Sequence, residues 1–469
     1  MSAGKLHITR DLASDLQGRR VTVLGAARSG RAAARLLKAH GADVIVSDAR
    51  SVEATLRGEL TSLGVRIEEG GHTDKVLEAD FIVASPGVPD AAQPMQAAIE
   101  RSIPIVSEIE LASWFCPAPI VAITGSNGKT TTTELIGHIL RQDGRDVEVC
   151  GNIGTPFSER VLALSGDAVV VLEVSSFQLD HVHSFRPDVA IVLNVTEDHL
   201  DRYGYDLSRY AAAKFRIASS QEAGDAFIYC MDDAHCVEFV RHTDGKGPRT
   251  MGITLSADET KLNQPDAAGY LKNGYLTLRL NNKEETLMQP DELALRGRHN
   301  VYNSLAAAVA ARVVEVRSDV MRESLRTFEG VPHRLESVRE IDGVRYVNDS
   351  KATNVNAVWY ALESFSESVV LIAGGRDKGN DYTKLAPLVQ GRLRALISIG
   401  EASDAIHAQL GPLVTDAVQA ETLADAVHLA HLLAKEGDVV LLSPACASFD
   451  MFDSYEDRGD QFKQLVSNL

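Results

Sequence analysis

Cysteine is scarce in this chain: five residues in 469, at Cys116, Cys150, Cys230, Cys236 and Cys446, with no C-x-x-C pair. That number and scatter argue against a disulfide framework or a four-ligand zinc site, and a reducing compartment is expected. Long apolar runs are missing, since none approaches the ~20 residues that span a bilayer. Positive charge is in deficit as well. There are 47 Lys and Arg against 65 Asp and Glu, a formal charge of −18. Nucleic acid or an anionic membrane is therefore not an expected partner, because phosphates are held by clustered cations. Residues 1–12 carry charges throughout and lack the apolar core of a secretion signal, so a cytoplasmic location is expected.

What is present is globular. Apolar residues make up 45% of the chain, too many for disorder. At about 150 residues per domain the length gives roughly three domains. Short β-rich runs at 21–24, 44–47 and 81–85 alternate with a helical run at 31–40, the βαβ pattern of a doubly wound sheet. A second alternation begins after Pro104, with a strand at 120–124, a helix at 129–142 and strands at 169–174 and 189–194. Between about 225 and 290 the texture changes, and Asn273-Gly274 between two alternating runs predicts an antiparallel hairpin. A third unit opens with a hairpin around Asp342-Gly343 and returns to parallel-type strands at 369–373, 395–399 and 439–442. The expected architecture is three α/β domains. These are an N-terminal Rossmann-like domain (1–107), a central P-loop ATP-binding domain with an added antiparallel piece (108–330) and a C-terminal Rossmann-like domain (331–469).

Two glycine-rich turns carry chemistry. Gly25-Ala26-Ala27-Arg28-Ser29-Gly30 resembles a dinucleotide fingerprint, but Ala27 replaces the glycine that lets backbone approach a pyrophosphate. A ligand-free βα turn and an anion site at the helix N-terminus both remain open there. Gly125-Ser126-Asn127-Gly128-Lys129-Thr130-Thr131 is more specific, because it joins a strand to a helix. It is a shortened phosphate loop: successive N–H groups face phosphate oxygens, Lys129 adds a point charge and Thr130 can ligate Mg²⁺.

Acids at strand ends are candidate metal ligands or simple caps. Glu173 and Glu197-Asp198-His199 are of this kind, and their position near a phosphate loop favours metal. Lys214, on the helical stretch 207–219, reads from composition as a surface lysine. In the third unit, Asn348-Asp349-Ser350-Lys351-Ala352-Thr353-Asn354, Gly374-Gly375-Arg376-Asp377-Lys378-Gly379 and Ser443-Pro444-Ala445-Cys446-Ala447-Ser448 each follow a strand. Several polar strand ends predict one ligand face.

The run 125–131, Glu173, Asn194-Val195-Thr196-Glu197-Asp198-His199, Arg298-His299-Asn300 with Asn303, and Arg334 together resemble the Mur ligase superfamily, over the whole chain. Within it, 348–354 and 443–450 are similar to the members that add D-glutamate to UDP-N-acetylmuramoyl-L-alanine. The resemblance implies an ATP-dependent ligase of cytoplasmic peptidoglycan precursor synthesis, monomeric, with ATP and two Mg²⁺ sites. It implies that Gly125, Ser126, Asn127, Gly128, Lys129, Thr130 and Thr131 hold the ATP phosphates, and Thr130, Glu173, His199 and a carbamylated Lys214 the metals. Asn300 and Asn303 are implied near the base, Asp349 at the ribose, and Arg334 at the transferring phosphoryl group. Lys129, Glu173, His199, Lys214 and Arg334 form the implied catalytic set. Asn152 and His199 are implied to orient the carboxylate to be activated. Ala27, Arg28, Ser29, Arg50, Ser85 and Gly87 are implied to hold the UDP part, and Lys351, Thr353, Lys378, Ser448 and the backbone near Tyr455 the D-glutamate. Two residues depart from the family pattern, Ala49 in place of a threonine and Tyr455 in place of a phenylalanine. Competing readings are a different amino-acid ligase of the superfamily, a non-catalytic nucleotide-sugar sensor and, disfavoured by Ala27, a dehydrogenase.

Overall fold

The computed structural model describes residues 16–242, 247–377 and 379–469. They form two compact units, one of residues up to 289 with 302–324, the other of 290–301 with 325–469. Three sheets organise them.

The first unit holds two sheets. Strands β1 (Arg20–Leu24), β2 (Asp43–Asp48), β3 (Arg66–Glu69), β4 (Phe81–Ala84) and β5 (Ile105–Ser107) form an all-parallel sheet in the order β3-β2-β1-β4-β5. Its central strands are near-continuous Val and Ile runs because helices cover both faces, as parallel crossovers demand. The winding reverses between β1 and β4, which opens a crevice at their C-terminal ends.

The second sheet comprises β6 (Ile120–Thr124), β7 (Val147–Gly151), β8 (Val169–Glu173), β9 (Val189–Val192), β10 (Ala226–Cys230), β11 (Arg249–Thr254), β12 (Ala267–Lys272), β13 (Tyr275–Leu280) and β14 (Lys283–Met288). Its order is β14-β13-β12-β11-β10-β9-β6-β8-β7. The Asn273-Gly274 turn joins β12 to β13 as the sequence predicts, with both residues at positive φ (52° and 80°). The antiparallel piece is shorter than expected, however. Strands β10 and β11 continue the parallel sheet, and only β12–β14 pair antiparallel. The apolar run 226–230 is buried throughout, which is the mark of a central parallel strand.

The second unit contains β15 (Glu336–Ile341), β16 (Val344–Asn348), β17 (Val369–Gly374), β18 (Leu393–Ile399), β19 (Asp416–Gln419) and β20 (Val439–Leu442), ordered β15-β16-β20-β17-β18-β19. The Asp342-Gly343 hairpin forms as expected, and in this sheet β15 runs antiparallel to its neighbour. Strands β16, β20 and β17 are neighbours, so the loops after them leave the sheet side by side. Among the described residues no helix is long and apolar enough to cross a membrane.

Candidate active site

The crevice of the first sheet is a cavity of about 600 Å³. Ala27, Arg28, Ser29, Arg50, Ser85, Gly87 and Asn152 all line it, together with Ala49, His72 and Gln178. Its floor depends on Gly30, where a Cβ would lie 1.8 Å from the Gly25 carbonyl oxygen. Asp48 is braced rather than presented: one oxygen accepts from Ala26 N–H at 2.8 Å, the other from Arg50 N–H at 2.9 Å. Ala27 is the N-cap of the helix Arg28–Ala39 and offers no side-chain cap, so that helix end keeps its anion-binding character.

Two arginines tie this cavity to the second sheet. Arg28 donates to the Gly154 carbonyl at 3.1 Å. Arg202 donates to the carbonyls of Pro86 and Val88, both at 2.9 Å, while its guanidinium lies 4.4 Å from the Phe177 ring centre. Arg202 sits three residues after His199, and sequence reasoning missed it. An arginine in a polar turn has no local signal that separates a brace from a solvated cation.

The phosphate-type loop leaves β6 and enters the helix Lys129–Gln142. Gly125 and Gly128 have φ of 154° and 84°, values that side chains rarely adopt. A Cβ on Gly128 would meet Asn303 Oδ1 at 2.3 Å, so Asn303 packs directly on the loop. Loop and neighbouring strand end are laced together: Asn127 N–H donates to Asn194 Oδ1 at 2.9 Å, and Ser126 Oγ donates to the Thr196 carbonyl at 2.8 Å. Lys129 Nζ donates to the carbonyls of Gly125 (2.9 Å) and Ser126 (3.0 Å). Thr130 and Thr131 are buried in the first helical turn.

Lys214 is not the surface lysine its composition suggests. It is 1% exposed, donates to the Gly125 carbonyl at 2.8 Å and lies 4.3 Å from the Tyr210 ring centre. Burial, and then the charge of Lys129, hold its amine well below the usual lysine range.

Glu173 ends β8, directly beside β6, and is 1% exposed. One oxygen accepts from Asn152 Nδ2 at 2.8 Å; the other is buried with no hydrogen-bond partner among the described residues. An unsatisfied buried carboxylate oxygen is costly unless something binds it. His199 has left-handed backbone (φ 52°), packs edge-on against Phe177 and keeps its side chain 45% exposed. Among the described residues no three His, Cys, Asp or Glu side chains gather as a metal cage. The orphan oxygen of Glu173 and the Thr130 hydroxyl fit a hard cation that takes its remaining ligands from phosphate and water, as Mg²⁺ does.

In the second unit, Arg334 lies between His333 and Leu335, both at positive φ (61° and 46°). Its Nε is buried without a partner among the described residues. Burial, and then the Arg334 charge, push the His299 imidazole down to about 4. Asp349 is buried, accepts from Ser443 Oγ at 2.7 Å and from Leu335 N–H at 3.2 Å, and is raised by that burial to about 6. Asn300 donates to the Arg296 carbonyl at 2.7 Å. Lys351 lies 5.2 Å from the Tyr455 ring centre, Thr353 is half-buried and Ser448 is buried. Lys378 lies outside the described residues.

Comparison with known proteins covers most of the chain. Residues 19–107 match the "Mur ligase MurD-like, N-terminal domain" model, 123–311 the "Mur ligase middle domain" and 333–446 the "Mur ligase, glutamate ligase domain". The UDP-N-acetylmuramoylalanine–D-glutamate ligase of Salinibacter ruber is 53% identical over 96% of this chain and 98% of its own length. The protein of the same name from Chloroherpeton thalassium is 45% identical over 97% and 99%. Among solved structures, a MurF ligase from Thermotoga maritima in complex with ADP superposes with a TM-score of 0.59 at 17% identity, covering 97% of each chain. The UDP-N-acetylmuramate-alanine ligase of the same organism gives 0.58 at 20% identity, over 96% and 99%. These last two likenesses are of fold.

Proposed function

This chain belongs to the Mur ligase family, among the UDP-N-acetylmuramoylalanine–D-glutamate ligases, and from that membership we infer that it joins D-glutamate to UDP-N-acetylmuramoyl-L-alanine at the expense of ATP. It does so in the cytoplasm, as a monomer, in the making of peptidoglycan precursors. A carboxylate resists amines because its leaving group would be an oxide. Transfer of the ATP γ-phosphoryl group to the alanyl carboxylate makes an acyl phosphate with a good leaving group. The D-glutamate amine attacks that carbonyl, the amide forms, and ADP and phosphate leave.

The protein's part is positioning and charge neutralisation. Ala27, Arg28, Ser29, Arg50, Ser85 and Gly87 hold the UDP part, and Asn152, steadied by Glu173, orients the alanyl carboxylate with His199. The loop from Gly125 to Thr131 cradles the ATP phosphates, with Lys129 trading its contacts to loop carbonyls for phosphate oxygens. Asn300 and Asn303 adjoin the base, and Asp349 has lone pairs left for the ribose. Arg334 steadies the transferring phosphoryl group. Thr353, Ser448, Lys351 and Lys378, with backbone near Tyr455, hold the D-glutamate carboxylates.

Thr130, Glu173, His199 and Lys214 are the residues that would hold Mg²⁺. When bound, Mg²⁺ neutralises phosphate charge and polarises the transferred group. Lys214 enters this set as a carbamate. Burial lowers the basicity of its amine, which favours the unprotonated form whose lone pair adds to CO₂, and the nitrogen releases one proton as the carbamate forms.

The observation that carries the reading is the 600 Å³ cavity at the switch point of the first sheet. Six residues expected at the UDP part line it, and so does Asn152, the residue expected at the reacting carboxylate. Phosphate release from ATP tests the assignment, with UDP-N-acetylmuramoyl-L-alanine as acceptor and D-glutamate, L-lysine, meso-diaminopimelate and L-alanine offered separately. Turnover with D-glutamate alone is the expected result. Turnover with another amine instead overturns the substrate, and turnover with none overturns the enzyme.

A further inference from the structure

Arg458 is 0% exposed, and its hydrogen bonds among the described residues run to carbonyls and a hydroxyl, none to a carboxylate; the Asp450 carboxylate favours the cation through its charge. It lies in the first turn of the helix Tyr455–Ser467. Its Nε donates to Ser350 Oγ at 2.9 Å and its Nη2 to the carbonyls of Ser350 (2.8 Å) and Cys446 (3.2 Å). Nη1 reaches the carbonyls of Gly374 and Ala447 at 3.5 Å. Those acceptors belong to the ends of β16, β17 and β20 and the loops that follow them. A buried cation is ordinarily paired with an anion, because desolvation is costly. Here carbonyl dipoles and one hydroxyl take the hydrogen bonds while Asp450 adds its charge, and only a planar fork of five N–H donors reaches loops in three directions at once. The fit is close: a Cβ on Gly375 would lie 3.1 Å from Arg458 Nη1. Ser350 adds a second stitch, its Oγ donating to the Tyr455 carbonyl at 2.8 Å.

We propose that Arg458 is a positioning residue for the amino-acid substrate, a buried clamp that sets the spacing of the three loops after β16, β17 and β20, two of which carry Thr353 and Ser448. This rests on the reading that those loops hold the carboxylates of the incoming amino acid. Arg458 itself touches no substrate. It decides how far apart the carboxylate-binding groups stand, and a dicarboxylate is sensitive to that spacing. Burial depresses its guanidinium to about 10, still charged at neutral pH, so the clamp holds throughout the working range.

The test is steady-state kinetics of the full-length Arg458→Lys and Arg458→Met variants, beside the wild type, each substrate varied in turn. The amino acid used is whichever one the wild type turns over, so a wrong substrate assignment shows in the wild-type control alone. Expected for Arg458→Lys is a KM for the amino acid raised at least tenfold, with KM for ATP and the UDP substrate within twofold. Arg458→Met should lose more, with partial recovery on adding guanidinium ion at millimolar concentration. Unchanged amino-acid KM in Arg458→Lys, or an equal rise for all three substrates, overturns the proposal. So does a lysine variant that no longer unfolds cooperatively, which would make Arg458 a general stabiliser.

Discussion

Lys214 Nζ donates to the carbonyl oxygen of Gly125 at 2.8 Å, which binds a fully buried amine to the first residue of the phosphate loop. Burial, and then the charge of a second cation, Lys129, lower the basicity of this amine. Lowered basicity favours the unprotonated form that reacts with CO₂, and a carbamate would supply oxygens where Mg²⁺ wants them. Lys214→Ala should therefore lower turnover by about 10²-fold or more, comparable to loss of one key electrostatic group. A short-chain carboxylic acid added to the assay should restore part of it. Full activity in the alanine variant, without any added acid, would sink the carbamate.

Glu108 makes a different prediction, about stability. It is 1% exposed, one oxygen accepts from Ser158 N–H at 2.6 Å, and the other is buried without a partner among the described residues. Burial raises its carboxyl from 4.5 to about 7. Between those values the folded protein keeps a proton that the unfolded chain has released, so this group's contribution is full below about 4.5 and is lost as pH rises through about 7. Denaturant unfolding at about pH 5.5 and about pH 8.5 should show the wild type losing roughly 2 kcal/mol that Glu108→Gln does not lose. Parallel losses in the two proteins would assign the pH dependence elsewhere.

Arg202 holds Pro86 and Val88, on the loop that carries Ser85 and Gly87. Two charge-assisted bonds to backbone are worth about 1.5–3 kcal/mol each at most, and part of that is felt as loop disorder. Arg202→Met, which keeps apolar contact with Phe177, should raise KM for the UDP substrate about tenfold and leave KM for ATP nearly unmoved. A rise confined to ATP would refute the link.

Gly30 leaves no room at all. The obstructing atom is the backbone oxygen of Gly25, 1.8 Å from where a Cβ would stand, so relief requires moving the loop itself. Gly30→Ala should cost about 2 kcal/mol or more of stability, as overpacking does, and weaken UDP-substrate binding as well. Thermal unfolding and binding calorimetry check the two effects, and a variant as stable as the wild type would show that the turn can yield.

Much of the fold was legible because it rests on local patterns. Buried parallel strands announce themselves as Val and Ile runs, and β6 and β20 sit where the periodicity puts them. Short or polar edge strands were not legible: Arg66–Glu69 and Asp416–Gln419 are half-exposed, and nothing in Arg-Ile-Glu-Glu marks a strand. The candidate site divides in the same way. Glycines at 125 and 128, and a lysine that opens a helix, are a local signature of phosphate binding. Arg202 acts on carbonyls more than a hundred residues away, and Arg458 reaches Ser350 and Gly374 across 108 and 84 residues, so no short window of sequence contains both ends of those contacts.

The amino-acid order by itself determined the alternation of strands and helices, the phosphate loop, and the strand ends that carry acids and cations. It did so because these depend on side-chain period and on backbone freedom at particular glycines. Only the tertiary structure decided which ionisable groups lose water. The same lysine is solvated on an isolated helix and buried, with its basicity lowered, beneath Gly125. The same arginine is a surface charge in the helix Tyr455–Ser467 and, once that helix docks, the clamp of three loops. Desolvation and hydrogen-bond partners are set by what packs around a group, and those neighbours come from distant parts of the chain.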